Sequence, residues 1–406
     1  MCNRFLFFCI LIFSAVACSS GGPELKSQTQ TLDPKMPKKI LLFIPGYYGS
    51  NLKEESTGEI RWAKTSNFLL SQTGLSQNIE GTEIGSKDKL IVDGILTNVS
   101  IIPKVWDVDS YGKTIKQLDQ FALVNNMRVE TLAYDWRADF VDILKVIDAK
   151  IKSFDLKAED ELHVVSHSMG ALLMAYYVRY GAQDVDHAVE NWEGLKHITK
   201  IALIAPPLHG LMILFRDIED GTSVGLNRRL LSDVDYSTFR SSYFFLPPKG
   251  EDIGIGLDGE KKSLGIHNID LWEKNKWGPF KFAKPEEVKA VRFFVETNMQ
   301  RSEKFHELLR AKVVTPPASL IPMLHMRGLG HKTLEFARLK VDGERIGYDF
   351  KKQDATDGDG TVTDKSGAPL AFFRNFKFKT IDTQLGHLDV LAKPESQSTI
   401  QNFLKD

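Results

Sequence analysis

Three stretches of this 406-residue chain carry side chains that together could move an acyl group. The first reads ELHVVSHSMGALLMAYY, from Glu161 to Tyr177. Its β-branched run ends at Ser166-His167-Ser168-Met169-Gly170, and an alanine- and leucine-rich helical stretch follows at once. A nucleophilic serine needs that setting: a strand, a sharp turn with the serine at its tip, then a helix. The turn is tolerable only where the residues two before and two after are small, as Ser166 and Gly170 are. The helix N-terminus behind Ser168 offers free N–H groups to a developing oxyanion. Alone, S-x-S-x-G is a short pattern that many bends contain, and Ser168 reads equally as one more polar residue in a bend.

A serine becomes a nucleophile only with a base and a group that orients the base. In α/β-hydrolases the chain order is Ser, then Asp or Glu, then His. Two downstream stretches fit. Asp357-Gly-Asp-Gly-Thr-Val362 is a glycine-rich acidic loop after a predicted strand, and Leu385-Gly-His387-Leu-Asp-Val390 sets a histidine beside glycine just before the final helix. Singly, these read as an acidic turn and as a packed or solvated histidine. Their order, with all three groups in loops, favours a triad. A second oxyanion donor has to come from the loop after an early strand, and Phe43-Ile-Pro-Gly-Tyr-Tyr-Gly-Ser50 supplies one. The backbone N–H groups of Tyr47 and Met169 are expected to hold the oxyanion; the plain alternative is a Pro-Gly turn.

These side chains need a frame. Lys39 to Ile44 is a continuous apolar run stopped by Pro45-Gly46, as expected of a strand buried on both faces in a parallel sheet. Val129 to Tyr134, Leu162 to Val165 and Ile201 to Ala205 read the same way, with helical stretches near 110–125, 138–153 and 169–181 between them. Alternating strands and helices predict an α/β fold with a mainly parallel central sheet. The pattern loosens over 207–284, rich in Gly, Pro, Asp and aromatics. A long amphipathic helix is predicted from Pro285, with Val288, Val291, Val295, Met299, Phe305 and Leu309 on its apolar face. Alternation returns near 321–327 and 335–350, and a last helix near 396–405. The expected organisation is an α/β-hydrolase domain over 38–406 with a cap or lid inserted at about 207–320.

Arg4 and the apolar run Phe5 to Ala17 precede Cys18-Ser-Ser-Gly-Gly. That run of about 13 residues is short of the roughly 20 that span a bilayer. It reads as a signal peptide, residues 1–17, ending in Ala15-Val16-Ala17-Cys18, similar to a bacterial lipobox. Cys18 is the expected lipid anchor, residues 18–37 a polar tether, and the location a bacterial cell envelope with the protein exported and lipid-anchored. The plain alternative is an ordinary signal peptide cut nearby. The cysteines are Cys2, Cys9 and Cys18, so one remains after cleavage and no intrachain disulfide can form. The net charge of -1 gives no reason to expect nucleic acid.

Eight pieces in order resemble the lecithin:cholesterol acyltransferase family, with its lysosomal phospholipases A and phospholipid:diacylglycerol acyltransferases: FIPGYYGSNL, GEIRW, VDGIL…DSYGKTIKQL, AYDWR, SHSMG, APPLHG, DGDGTV and GHLDVL. The resemblance runs from about residue 39 to the C-terminus. It implies a serine acyl hydrolase or acyltransferase working through an acyl-enzyme, with Ser168 as nucleophile, His387 as general base and Asp359 as the orienting carboxylate. Asp357 stands second, because Gly360-Thr-Val matches the family's acid position best. The chain departs from the family at Ser166, where glycine is usual, at Ala171, in lacking the disulfides of secreted members, and over 207–245, which matches loosely where a lid would sit.

Other patterns carry less. Leu271 to Phe282 interleaves aromatics with lysines, either as a membrane-interface segment or as cap core with solvated lysines. Gly254 to Gly259 matches G-x-G-x-x-G without a strand before or a helix after it. The aspartates of 354–364 miss the glutamate a calcium loop needs at its twelfth position. No cofactor or metal is expected. The substrate class is a lipid ester such as a phospholipid, with water or an alcohol acceptor and a membrane surface as partner. The alternatives are a carboxylesterase for small soluble esters and a non-catalytic lipid-binding envelope lipoprotein.

Overall fold

The apolar run after the tether forms strand β1, Lys39–Ile44, whose residues Ile40 to Ile44 are all buried. In this computed structural model, which describes residues 37–62, 74–102, 106–109, 111–224 and 227–405, β1 lies inside a six-stranded sheet. The signal peptide, Cys18 and all but the last residue of the tether lie outside the described residues. In chain order the elements that follow are β2 (Ser50–Glu54), β3 (Ile60–Trp62), β4 (Leu90–Ile95), β5 (Asn98–Ile102), β6 (Trp106–Asp109), α1 (Gly112–Val124), β7 (Arg128–Thr131), α2 (Phe140–Lys152), β8 (Glu161–His167), α3 (Met169–Tyr180) and β9 (Ile198–Ile204). The central sheet has the order β17-β14-β9-β8-β1-β7, where β14 is Pro322–Gly328 and β17 is Lys377–Thr383, and every pairing in it is parallel.

Strand periodicity sorts the core into two layers. Ile40, Leu42 and Ile44 face one side and pack with α2 and α3 through residues such as Ile143, Leu144, Leu172 and Leu173. Leu41 and Phe43 face the other and pack with Ile115 and Leu118 of α1 and with Ile400 and Leu404 near the C-terminus. Both faces are covered, so β1 and β8 have no polar alternation to show. Helix α3 is buried at every residue, which explains why its sequence is apolar on all sides but for Arg179, whose guanidinium is paired with Glu190. This is the α/β-hydrolase architecture: a parallel sheet covered on both faces, with the strand–turn–helix of β8, Ser168 and α3 at its centre.

The connection from β9 to β14 builds the cap: α4 (Met212–Asp220), β10 (Thr222–Val224), β11 (Asn227–Leu231), α5 (Asp233–Thr238), α6 (Arg240–Phe244), β12 (Ile253–Ile255), β13 (Lys261–Ser263), α7 (Ile269–Asn275) and α8 (Val288–Arg310). The small sheet β13-β12-β15-β16 reaches beyond the expected 207–320 boundary, because β15 (Thr333–Asp342) and β16 (Arg345–Thr356) complete it after the chain has passed through β14. A three-residue β12 needs that hairpin as a partner, and Ile255 pairs with Arg338. The chain ends in α9 (Asp389–Ala392) and α10 (Pro394–Lys405).

One open reading is decided and two expectations change. Trp272 and Trp277 are buried in the cap, their indole N–H groups donating to the carbonyls of Ile266 and Ile346, so 271–282 is cap core and not an interface segment. Pro285 opens a 3-10 turn, Pro285–Glu287, and the α-helix starts after it. The alternation near 321–327 is a buried strand of the central sheet: its polar residue His325 is itself buried, between Phe373 and Phe378. The region 50–109, which carried no strand expectation, holds two small antiparallel sheets, β3-β2-β4 and β5-β6. Among the described residues no helix is long and apolar enough to cross a membrane.

Burial, the largest cause in each case, pushes His163, His306 and His325 down to about 4 and His167 to about 3. Unfolded, these rings titrate near about 6.5. Below that pH the unfolded chain binds protons that the native chain refuses, so these groups stabilise the fold above about pH 6.5 and lose that contribution as pH falls toward 4. Asp235, raised to about 6 by burial, works in the opposite sense over the same range. The drop in urea midpoint between pH 7 and pH 5 is therefore expected to shrink in His325→Gln. An identical drop in the variant would refute the buried-neutral state of His325.

Candidate active site

Parallel register brings the loops at the C-terminal ends of β1, β8, β9, β14 and β17 together, where open α/β sheets bind ligands. Ile44 pairs with Ser166 and His167 with Ile204, so Pro45-Gly46 and Ala205 flank the turn at Ser168. Ser168 has φ 52 and ψ -118, a conformation that L residues rarely adopt. Its own backbone holds it there. The Ser168 N–H donates to the Ile204 carbonyl at 2.8 Å, and its carbonyl accepts from Ala171 and Leu172 at 3.0 Å each. Gly170 has no room for a side chain, since a Cβ there would lie 2.4 Å from the Pro45 carbonyl oxygen. Ser166 fits where glycine is usual because its hydroxyl donates to the Ala202 carbonyl at 3.1 Å.

His387 lies on the short loop between β17 and α9. Its Nε2 is 2.9 Å from Ser168 Oγ and its Nδ1 is 2.8 Å from Asp359 Oδ2. A carboxylate only accepts, so Nδ1 carries the hydrogen and Nε2 is left to accept from the Ser168 hydroxyl. The other oxygen of Asp359, Oδ1, accepts the N–H groups of Thr361 and Val362 at 2.9 and 2.7 Å. The main chains are tied as well, His387 N–H donating to the Asp359 carbonyl at 2.9 Å. Burial alone would raise the Asp359 carboxyl; the His387 ring, then these N–H donors, outweigh it and hold the group below its ordinary value. Asp357 Oδ1 instead accepts from Gly330 and Gly358 N–H at 2.6 and 2.9 Å, so it shapes the turn two residues earlier. Gly328, ending β14, lets both loops close in: a Cβ there would stand 2.2 Å from the Leu385 carbonyl oxygen and 2.7 Å from the Asp359 Cβ.

The loop after β1 forms the third side. Gly49 N–H closes it onto the Gly46 carbonyl at 3.1 Å, and Tyr48 takes φ 65. Among the described residues, the N–H groups of Tyr47 and of Met169, first in α3, have no protein acceptor. AYDWR explains itself here. Tyr134 donates to the Pro45 carbonyl at 2.6 Å, Trp136 to the Ser50 carbonyl at 3.1 Å, and Arg137 clasps Asp135 and the Leu75 carbonyl. Cap residues complete the brace: the Tyr47 hydroxyl is 3.4 Å from Ser242 Oγ, the Tyr48 and Tyr236 hydroxyls are hydrogen-bonded, and the Tyr47 ring meets Trp136 and Phe245 edge-on. Ser168 is 7% exposed and the His387 side chain 15%.

Sequence reasoning placed Ser168, Asp359, His387, Tyr47 and Met169, and all five meet here. It missed Tyr111, His167, Tyr134 and Trp136. The last two sit in AYDWR and His167 inside SHSMG, so the signal was motif membership without a role. Among the described residues no set of three or more His, Cys, Asp or Glu side chains is arranged to hold a metal ion. Gly46 gives a test of how tightly the loop is set. A Cβ there would lie 2.8 Å from Ser168 Cβ, so Gly46→Ala is expected to slow fluorophosphonate labelling of Ser168 by about a hundredfold, the usual effect of displacing a reacting group by about 1 Å. An unchanged labelling rate in a folded Gly46→Ala protein would contradict this geometry.

A family model described as lecithin:cholesterol acyltransferase matches residues 56–259, half of the chain. That stretch includes Trp62, AYDWR and Ser168 and stops short of Asp359 and His387. An uncharacterized protein of Saccharomyces cerevisiae is 25% identical over 252 residues, which are 61% of this chain and 35% of the yeast protein. The chain thus spans about a third of that relative's length. Among solved structures, the Tle4–Tli4 complex superposes with a TM-score of 0.55 at 12% identity, covering 91% of this chain and 98% of that one; the likeness is one of fold. A mature lipase of Bacillus licheniformis gives 0.36 at 10% identity, with 92% and 95% covered.

Proposed function

The chain belongs to the lecithin:cholesterol acyltransferase family, and from that premise we propose that it is a serine acyl hydrolase or O-acyltransferase acting on lipid esters. The observation that carries this reading is the unbroken line Ser168 Oγ, His387, Asp359, with links of 2.9 and 2.8 Å. In this mechanism Ser168 attacks the ester carbonyl while His387 Nε2 takes its proton. Asp359 keeps the Nδ1 hydrogen in place and stabilises the imidazolium that forms. The unpaired N–H groups of Tyr47 and Met169 accept the charge of the tetrahedral intermediate, each such donor contributing typically about 3 kcal/mol. Collapse expels the alcohol, which leaves with the proton from His387, and the acyl group stays on Ser168. Water or a second alcohol, deprotonated by His387, then takes the acyl group and frees the serine.

A lipid rather than a small soluble ester is favoured by the family, and the phospholipid is the donor to try first. The full-length chain, incubated with phospholipid vesicles containing a sterol or diacylglycerol, is expected to yield free fatty acid or a new acyl ester by mass spectrometry, with neither formed by Ser168→Ala. Free fatty acid alone makes it a hydrolase; a new sterol ester or triacylglycerol makes it a transferase. No product from the wild type, with small esters still cleaved, would sink the lipid reading in favour of a carboxylesterase. The pattern at residues 5–18 further supports export and acylation at Cys18 in a bacterial envelope, which loss of labelled fatty acid from Cys18→Ala would test.

A further inference from the structure

His167, the residue before the nucleophile, has no part in the chemistry above, yet it is buried and both ring nitrogens are engaged. Nε2 lies 3.0 Å from the backbone carbonyl of His387. A carbonyl only accepts, so Nε2 carries the hydrogen and donates it. Nδ1 is then an acceptor, and it lies 2.9 Å from the hydroxyl of Tyr111, which donates to it. The same hydroxyl oxygen accepts the Gly46 N–H at 2.9 Å. The donors run in one direction: Gly46 N–H to Tyr111, Tyr111 to His167, His167 to the His387 carbonyl. Burial pushes the ring of His167 down to about 3; the neighbouring His387 ring adds to the lowering, and the His387 carbonyl and Asp359 oppose it. The ring is therefore neutral at working pH and the tautomer is set by its partners.

The two ends of this line are the two loops that the reaction needs in register. Gly46 precedes Tyr47 in the loop after β1, and His387 lies in the loop after β17. In the sheet those strands are separated by β8, β9 and β14, so no ladder of strand hydrogen bonds connects the loops directly. We infer that Tyr111 and His167 are positioning residues, a buried one-way hydrogen-bonded chain that holds the oxyanion loop at Gly46 and the base loop at His387 in register across Ser168. The inference rests on the catalytic reading of Ser168 and His387. Without the Tyr111 hydroxyl, the buried Gly46 N–H loses its acceptor; without the His167 N–H, the His387 carbonyl loses its donor. Either loss frees one loop to shift by a fraction of an ångström, the scale on which such sites lose rate.

The test uses the full-length chain, with fluorophosphonate labelling and turnover of a p-nitrophenyl ester, in Tyr111→Phe, His167→Leu, His167→Gln and the Tyr111→Phe/His167→Leu pair. The expected result is a fall in kcat of about tenfold for Tyr111→Phe and about thirtyfold for His167→Leu, with KM within about twofold. The double variant is expected to be no worse than His167→Leu by more than about twofold, because coupled residues of one chain are not additive. His167→Gln, whose amide N–H reaches as far as Nε2, is expected to recover most of the loss. A purely structural role would lower the unfolding midpoint and kcat together, with no rescue by Gln, and would overturn the inference. So would multiplying effects in the double variant, or a folded His167→Leu at full rate. If His167→Leu fails to fold, Tyr111→Phe and His167→Gln carry the decision. A wild type that Ser168 labelling never marks overturns the catalytic reading itself, and the positioning role with it. Labelled wild type with indifferent variants overturns the positioning role alone.

Discussion

Ser168→Ala is expected to lower ester turnover by between about 10⁴-fold and 10⁶-fold, the range seen when a serine nucleophile is removed from a triad. The basis is the 2.9 Å contact to His387 Nε2 and the turn that presents the hydroxyl. Labelling by a fluorophosphonate should vanish in the same variant, since the reagent bonds to the serine oxygen. The strained backbone separates this loss from any loss of fold. At φ 52 and ψ -118 a Cβ is unfavourable whether it belongs to serine or alanine, and glycine relieves it. Ser168→Gly is therefore expected to be as inactive as Ser168→Ala but more stable than it by about 1 kcal/mol, a strain relief partly offset by glycine's extra freedom in the unfolded chain. Denaturant midpoints of the two variants check this, and a glycine variant less stable than the alanine one would mean that the turn holds no strain. Activity retained by either would remove Ser168 from the mechanism.

The second large effect separates two aspartates in one loop. Asp359→Asn is expected to cost about 10⁴-fold in turnover. An amide facing Nδ1 can donate to it, which moves the imidazole hydrogen to Nε2 and takes away the acceptor that Ser168 needs. Asp357→Asn keeps one oxygen for the Gly330 and Gly358 N–H groups that its carboxylate now receives, so turnover is expected within about threefold of wild type. The measurement is kcat and the labelling rate for both variants, with circular dichroism to show that each has folded. A large loss at Asp357 with little at Asp359 would reverse the assignment of the acid and break the line from Asp359 Oδ2 to His387 Nδ1.

Much of the site was legible because its signals are local. A doubly covered strand reads as an unbroken apolar run, and β1 and β8 were found that way. A strained turn needs small neighbours, so Ser166 and Gly170 announced Ser168. Chain order then pointed to the Asp357–Val362 loop and to His387. The small cap sheet was not legible because a three-residue strand such as β12 has too little pattern to show where its partner, β15, lies. His325 disguised a buried strand as an alternating one, since a histidine enclosed by Phe373 and Phe378 looks in sequence like a solvated polar residue. The lysines around Trp272 and Trp277 likewise offered two readings, and packing against the Ile266 and Ile346 carbonyls selected one.

By itself, then, the sequence determined the class of fold, the family likeness and the three kinds of side chain for the chemistry, because periodicity, turn residues and motif order are properties of neighbours along the chain. Only the tertiary structure decided which of two aspartates faces His387, that Tyr134 and Trp136 brace the loop after β1, and that Tyr111 and His167 connect that loop to His387. Each of those outcomes depends on hydrogen-bond directions between segments tens to hundreds of residues apart. Hydrogen bonds fail over a few tenths of an ångström and a few tens of degrees, and no spacing in a linear sequence carries distances and angles of that kind.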